Sequence, residues 1–193
     1  MNHPFFSVIT PSLQRESLVR CCESVNSQTF GEWQHVIQID SPDLNVELVN
    51  KIDHPSREIY CCGKRHGHFG NRCRHIAWEV VVGDYIIFLD DDNVLAHPSA
   101  LQEVHDLLKW KKFPDFAIFP IIRHGSYFFN DPPGLCQTDT LNICVKREFG
   151  RWPDIEAREA DGHFVEKLKS EHEYVAFANA NPIGIMEYSS NGE

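Results

Sequence analysis

Tyr85-Ile86-Ile87-Phe88-Leu89 runs directly into Asp90-Asp91-Asp92-Asn93. Five apolar residues in a row, rich in β-branched and aromatic side chains, read as a strand buried on both faces. A half-exposed strand would alternate instead. Three adjacent carboxylates repel one another, and nothing in folding requires them at a strand end. A solvated acidic turn is the ordinary alternative to a functional role.

Working outward, residues 5–10 form a second buried strand, stopped by Pro11-Ser12. Residues 33–39 and 57–62 read as two more, the first ending at Asp40-Ser41-Pro42-Asp43. Between them lie helical periods. Leu18, Cys22, Val25 and Thr29 make one stripe, and Leu44, Leu48 and Ile52 a second. A third helix is expected over 71–83, carrying Ala77, Val80 and Val81 and halted by Gly83. Strand–helix alternation with apolar strands predicts an α/β fold whose central, mostly parallel sheet is covered on both faces. Such sheets bind ligands beyond the carboxyl ends of their strands. That edge gathers Thr10-Pro11, Asp40 and Asp90 to Asp92.

The second half is less regular. A helix is expected over 98–112, with strands over 116–122, 141–145, 174–177 and 183–186. Residues 123–139 form a Gly/Pro/aromatic loop too long for a plain connector. Its Tyr127-Phe128-Phe129 reads equally as a contact surface for a second copy of the chain or as the loop's own small core. Glu159-Ala160-Asp161 precedes a short helix holding Phe164, Val165 and Leu168. We therefore expect one domain over 1–193: a ligand-binding half (1–95), a second half (96–188) and a polar tail (189–193).

The chain has 193 residues, with 18 Lys+Arg against 28 Asp+Glu, a net charge of −10. At 42% hydrophobic and 11% aromatic residues it has the apolar mass to order itself. The acidic balance argues against a nucleic-acid partner, whose affinity would rest on phosphate neutralisation. No apolar run approaches the roughly 18–20 residues of a transmembrane segment. Met1-Asn2-His3-Pro4 lacks the pattern of a signal peptide, so a cytoplasmic location is expected. The seven cysteines are expected as free thiols. The stretch from Cys61-Cys62 through His66, His68 and Cys73 to His75 is dense in zinc-type ligands. It lacks the paired knuckles of structural zinc sites, so no zinc site is expected from its spacing.

The acidic triplet suits a hard divalent cation, Mg²⁺ or Mn²⁺, shared with ligand phosphates. Arg57, Lys64, Arg65, Arg72 and Arg74 form a basic island against the single acid Glu58. An ordinary solvated loop would look the same, but its place between two ligand-side loops suits phosphate oxygens.

Three segments carry a resemblance: Phe6-Ser7-Val8-Ile9-Thr10-Pro11-Ser12, Glu23-Ser24-Val25-Asn26-Ser27-Gln28-Thr29-Phe30, and Gly83-Asp84-Tyr85-Ile86-Ile87-Phe88-Leu89-Asp90-Asp91-Asp92. In order and separation they resemble the family 2 glycosyltransferases of GT-A fold. The resemblance implies a Rossmann-like three-layer α/β fold and a nucleotide-diphosphate sugar donor, UDP-sugar favoured. It implies inverting transfer to an acceptor hydroxyl with Mn²⁺ or Mg²⁺ on the diphosphate. By position, Thr10, Pro11 and Ser12 would line the nucleoside pocket, and Asp40 would read the base. Arg74 matches the family's phosphate-side Arg, with Arg72 competing. Asp90 and Asp92 match the D-x-D metal pair, with Asp91 between them on the donor side. Asp161 matches the late acid that deprotonates the acceptor. Asp139 competes as base or acceptor ligand, and Trp152 as an acceptor-side wall or simply a buried ring.

Two departures stand out. The usual second acid after strand two is replaced in Asp40-Ser41-Pro42-Asp43, and the last His, His172, comes too early to complete a metal shell. A non-catalytic nucleotide-sugar-binding or scaffold protein of the same fold is the alternative function.

Overall fold

The computed structural model describes residues 3–149 and 151–186. The expected polar tail, 189–193, lies outside them. The first half alternates as expected: β1 (Phe6–Ser12), α1 (Ser17–Asn26), β2 (Trp33–Ile39), α2 (Val46–Lys51), β3 (Arg57–Cys61), α3 (Asn71–Ala77) and β4 (Tyr85–Phe88). The second half adds β5 (Asn93–Leu95), α4 (Ala100–Trp110), β6 (Phe116–Ile118), β7 (Ile121–Arg123), β8 (Ser126–Phe128) and β9 (Ile143–Lys146). It ends with α5 (Ala160–Glu171), β10 (Tyr174–Ala176) and β11 (Gly184–Met186).

Seven strands form one sheet in the order β10-β6-β9-β4-β1-β2-β3. Phe6 to Ile9 of β1 register in parallel against Trp33 to Val36 on one side and Tyr85 to Phe88 on the other. Only β9 runs against its neighbours, β4 and β6. Strand alternation then explains why both faces are apolar. Phe6, Val8, Tyr85 and Ile87 pack under Val25 of α1 and Leu101, Val104 and Leu108 of α4. Ile9, Val36, Ile86 and Phe88 face the other way, onto Ala77 of α3 and Phe164, Val165 and Leu168 of α5. Ile37 and Ile39 receive Leu18, Leu48 and Ile52. The result is the expected three-layer α/β fold. Among the described residues no helix is long and apolar enough to cross a membrane.

Three expectations shift. The third helix ends at Ala77, after which Glu79 and Val80 donate to carbonyls three residues back. The chain must then dive under β1: a Cβ at Gly83 would meet Phe6 C and Ser7 N at 2.6 Å. Gly83 thus serves close approach rather than helix capping. The strand expected over 116–122 divides at Phe119-Pro120, because proline offers no N–H to continue the ladder. Its second part, β7, joins a smaller sheet ordered β5-β11-β7-β8. Within the long loop, β7 and β8 make a hairpin turning at His124-Gly125, both with positive φ (52° and 77°). Phe128 and Phe129 enter two different core clusters, while Tyr127 stays exposed. They form neither a shared ring cluster nor a single patch.

Candidate active site

The carboxyl ends of β1, β2 and β4 open into a cleft of about 510 Å³. Pro11, Ser12, Asp40, Arg74, Asp90, Asp91, Asp92 and Asp161 all line it.

The acidic triplet divides its labour. Leu89 still pairs with β1, donating its N–H to Ile9 O at 3.0 Å, which fixes where the triplet begins. Asp91 turns inward, 5% exposed, and accepts from Ser12 Oγ at 2.7 Å and Leu13 N at 3.1 Å. Burial pushes its pKa up, and these donors, with Arg15, push it back. Asp90 pairs with Arg74 Nη2, and Asp92 with Arg15 Nη1 at 3.2 Å. Asp92 is pushed up to about 6, first by burial and then by the charges of Asp90 and Asp91. These oxygen donors, gathered at one strand end, fit a hard divalent cation.

Arg74 is the cationic counterpart. Its side chain is nearly fully buried, lies 5.1 Å from the Trp152 ring centroid and donates through Nη1 to Phe69 O at 2.8 Å. Its Nε is buried without a hydrogen-bond partner. Arg72, the competing candidate, pairs instead with Asp154 and does not line the cleft. From the basic island, Arg65 also reaches the cleft. Arg57 does not. It is buried beside β2, donating to His35 Nδ1 at 3.0 Å and Asn26 Oδ1 at 2.8 Å. Burial first, then Arg57, holds the His35 pKa well below its usual value. Neutral His35 therefore carries its proton on Nε2, 2.9 Å from Thr10 Oγ1. Thr10 is thereby turned toward α1 and away from the cleft, against the expectation for the nucleoside pocket.

Asp40 is buried and accepts from His66 N at 2.6 Å and Gly67 N at 2.8 Å. It anchors a loop whose residues Gly67, His68, Phe69 and Gly70 all have positive φ. For His68 and Phe69 that conformation costs about 1–3 kcal/mol each. Gly70 allows the loop to meet β1, since a Cβ there would lie 2.8 Å from Pro11 Cβ. The turn leaves the Phe69 ring 59% exposed on the cleft wall. Sequence reading missed Phe69, because neither periodicity nor motif marks it. The G-x-x-G spacing from Gly67 to Gly70 was the available signal.

On the far side, Asp161 sits in the first turn of α5 and is half-buried. It accepts from Gly162 N at 2.7 Å. Burial raises its pKa to about 6, with Asp139 and Asp90 adding to the rise and Arg74 opposing it. The N-cap position belongs to Glu159, so Asp161 is not the helix cap. Asp139 lines the same cleft but caps the turn Thr140–Asn142, accepting from Leu141 N at 3.1 Å. Trp152 is fully buried, its ring 4.7 Å from Phe88 and 5.0 Å from Phe164. The buried-ring reading of Trp152 holds, although the residue also lines the cleft.

Residues 7–165 match the family model described as Glycosyl transferase family 2. The chain belongs to this family. A Haemophilus influenzae protein described as "Uncharacterized glycosyltransferase" is 26% identical over 138 residues, 69% of this chain and 51% of that protein. The family 2 chain thus spans about half the length of the curated relative it matches. Among solved structures, S. aureus TarS 1-349 in complex with UDP-GlcNAc superposes with a TM-score of 0.76 at 15% identity, covering 97% of this chain and 59% of that one. Mannosyltransferase PcManGT from Pyrobaculum calidifontis, in complex with GDP-Man and Mn2+, superposes at 0.72 and 13% identity, covering 100% and 59%. These likenesses establish the GT-A fold.

Proposed function

We propose that the chain binds a nucleotide-diphosphate sugar, a UDP-sugar by preference, and transfers the sugar to an acceptor hydroxyl with inversion at the anomeric carbon. The observation that carries this reading is the convergence of Asp90, Asp92, Arg74 and Asp161 on one cleft. Membership of the glycosyl transferase family 2 supports it.

Asp90 and Asp92 would hold Mn²⁺ or Mg²⁺, which when bound supplies Lewis-acid stabilisation of the departing diphosphate. Arg74 has a buried guanidinium with an unmatched Nε and adds a fixed positive charge beside the phosphates. Pro11 and Ser12 line the nucleoside end, with Asp40 behind them holding the loop through the N–H groups of His66 and Gly67. Asp161 then takes the proton of the acceptor hydroxyl as its oxygen attacks the anomeric carbon. The carbon–oxygen bond to the acceptor forms as the bond to the diphosphate breaks on the opposite face. A carboxylate titrating near 6 is ionised at neutral pH yet basic enough for this task. Asp91 works behind the site, fixing its two neighbours through Ser12 and Leu13.

Calorimetric titration with UDP and GDP, with and without Mn²⁺, is the direct test. Metal-dependent binding of UDP is expected, and binding of neither nucleotide would sink the reading. Tight binding without hydrolysis or transfer across a panel of UDP-sugars would favour the non-catalytic alternative.

A further inference from the structure

Cys62 and Cys73 take no part in the chemistry above. Cys62 follows the end of β3 and Cys73 lies in the first turn of α3, with the strained loop between them. Their Sγ atoms are 3.8 Å apart. A carboxylate oxygen of Asp40, at the end of β2, completes a group whose three ligand atoms all lie within 4.8 Å of one another. Two thiolates bound to one tetrahedral ion at about 2.3 Å stand about 3.8 Å apart, which is the spacing found. A disulfide would need about 2.05 Å.

The surroundings already orient these ligands. Gln38 Nε2 donates to Cys62 Sγ at 3.2 Å, and the N–H groups of His66 and Gly67 fix both oxygens of Asp40. Each carboxylate oxygen keeps a second lone pair for a metal. A donor set of two sulfurs and one oxygen suits a softer ion than the all-oxygen pair Asp90 and Asp92.

We propose that Cys62, Cys73 and Asp40 form a second metal site, for a thiophilic divalent cation of the zinc type. Three protein ligands leave a fourth position for water. The ion binds as both thiols lose their protons, so one M²⁺ enters and two H⁺ leave, with no change of oxidation state. Affinity therefore rises with pH. Bound there, the ion clamps both ends of the loop that carries Phe69. Spacing along the sequence hid the site, because its third ligand comes from a different strand end.

Cobalt titration of the reduced full chain tests this without any nucleotide. One equivalent of Co²⁺ is expected to give a near-ultraviolet thiolate-to-cobalt charge-transfer band and the intense visible bands of tetrahedral cobalt. One equivalent of Zn²⁺ should abolish both. Cys62→Ser, at a half-buried position, should lose most of the charge-transfer band, whereas Cys136→Ser, at an exposed position outside the cluster, should keep it. In wild-type protein, Zn²⁺ should slow alkylation of Cys62, read by peptide fragmentation, by tenfold or more while leaving Cys136 unchanged. A wild-type protein without the charge-transfer band, a band that survives Cys62→Ser, or zinc-independent alkylation of Cys62 would each overturn the site.

Discussion

Arg74 on α3 and Asp90 at the end of β4 pair across the cleft, and the same guanidinium holds the carbonyl of Phe69. One fork therefore joins the strained loop to the acidic triplet. Arg74→Lys keeps the charge and loses the fork that holds Asp90 and the Phe69 carbonyl together. We expect nucleotide affinity to fall about tenfold, or about 1.4 kcal/mol, by calorimetry. An unchanged affinity would show that only the charge matters.

Asp161 carries the clearest pH signature. As the proposed base it would act ionised, and burial raises its pKa to about 6, so transfer should rise with pH through about 6 and then level. Asp161→Asn should lower turnover by about 10²–10⁴-fold while leaving UDP affinity within a factor of two. Retained turnover would move the base elsewhere, with Asp139 next in line.

The same shift has a stability sign. The folded-state pKa lies above the unfolded value of about 3.9, so folding favours the neutral acid. That contribution is fully present below about pH 4 and is lost as pH rises through about 6. Asp161→Asn should therefore stabilise the protein by up to about 3 kcal/mol near pH 7.5 and by almost nothing near pH 4. Thermal melts of both proteins across that range would check it.

Phe69 separates function from strain. Phe69→Gly should relieve the left-handed backbone and raise stability by about 1 kcal/mol, whereas Phe69→Ala keeps the strain. Both remove the exposed ring from the cleft wall, so both should weaken nucleotide binding alike. Urea melts combined with UDP titration would separate the two effects.

Gly83→Ala should cost about 2–4 kcal/mol, since its Cβ would press on the backbone of Phe6 and Ser7. Chemical denaturation is the measurement. A cost below 1 kcal/mol would mean that β1 yields readily at its start.

The first half was legible because its strongest strand, 85–88, is apolar on both faces and stands out by run length alone. Of the cleft's acids, Asp40 and Asp90 to Asp92 were legible as residues that follow strand ends. What escaped was orientation. Thr10 and Arg72 stand at site-like positions, but the side chains of His35 and Asp154 draw them away. The division of 116–122 between two sheets was hidden because both parts are equally apolar. Asp40, Cys62 and Cys73 come together only when β2, β3 and α3 are packed, which no local spacing expresses.

Asp91 accepts from Ser12, 79 positions away in sequence, and so stitches the rim of the cleft at one carboxylate. The mouth is consequently shaped during folding rather than on ligand arrival. An incoming molecule would be spared the cost of ordering that carboxylate.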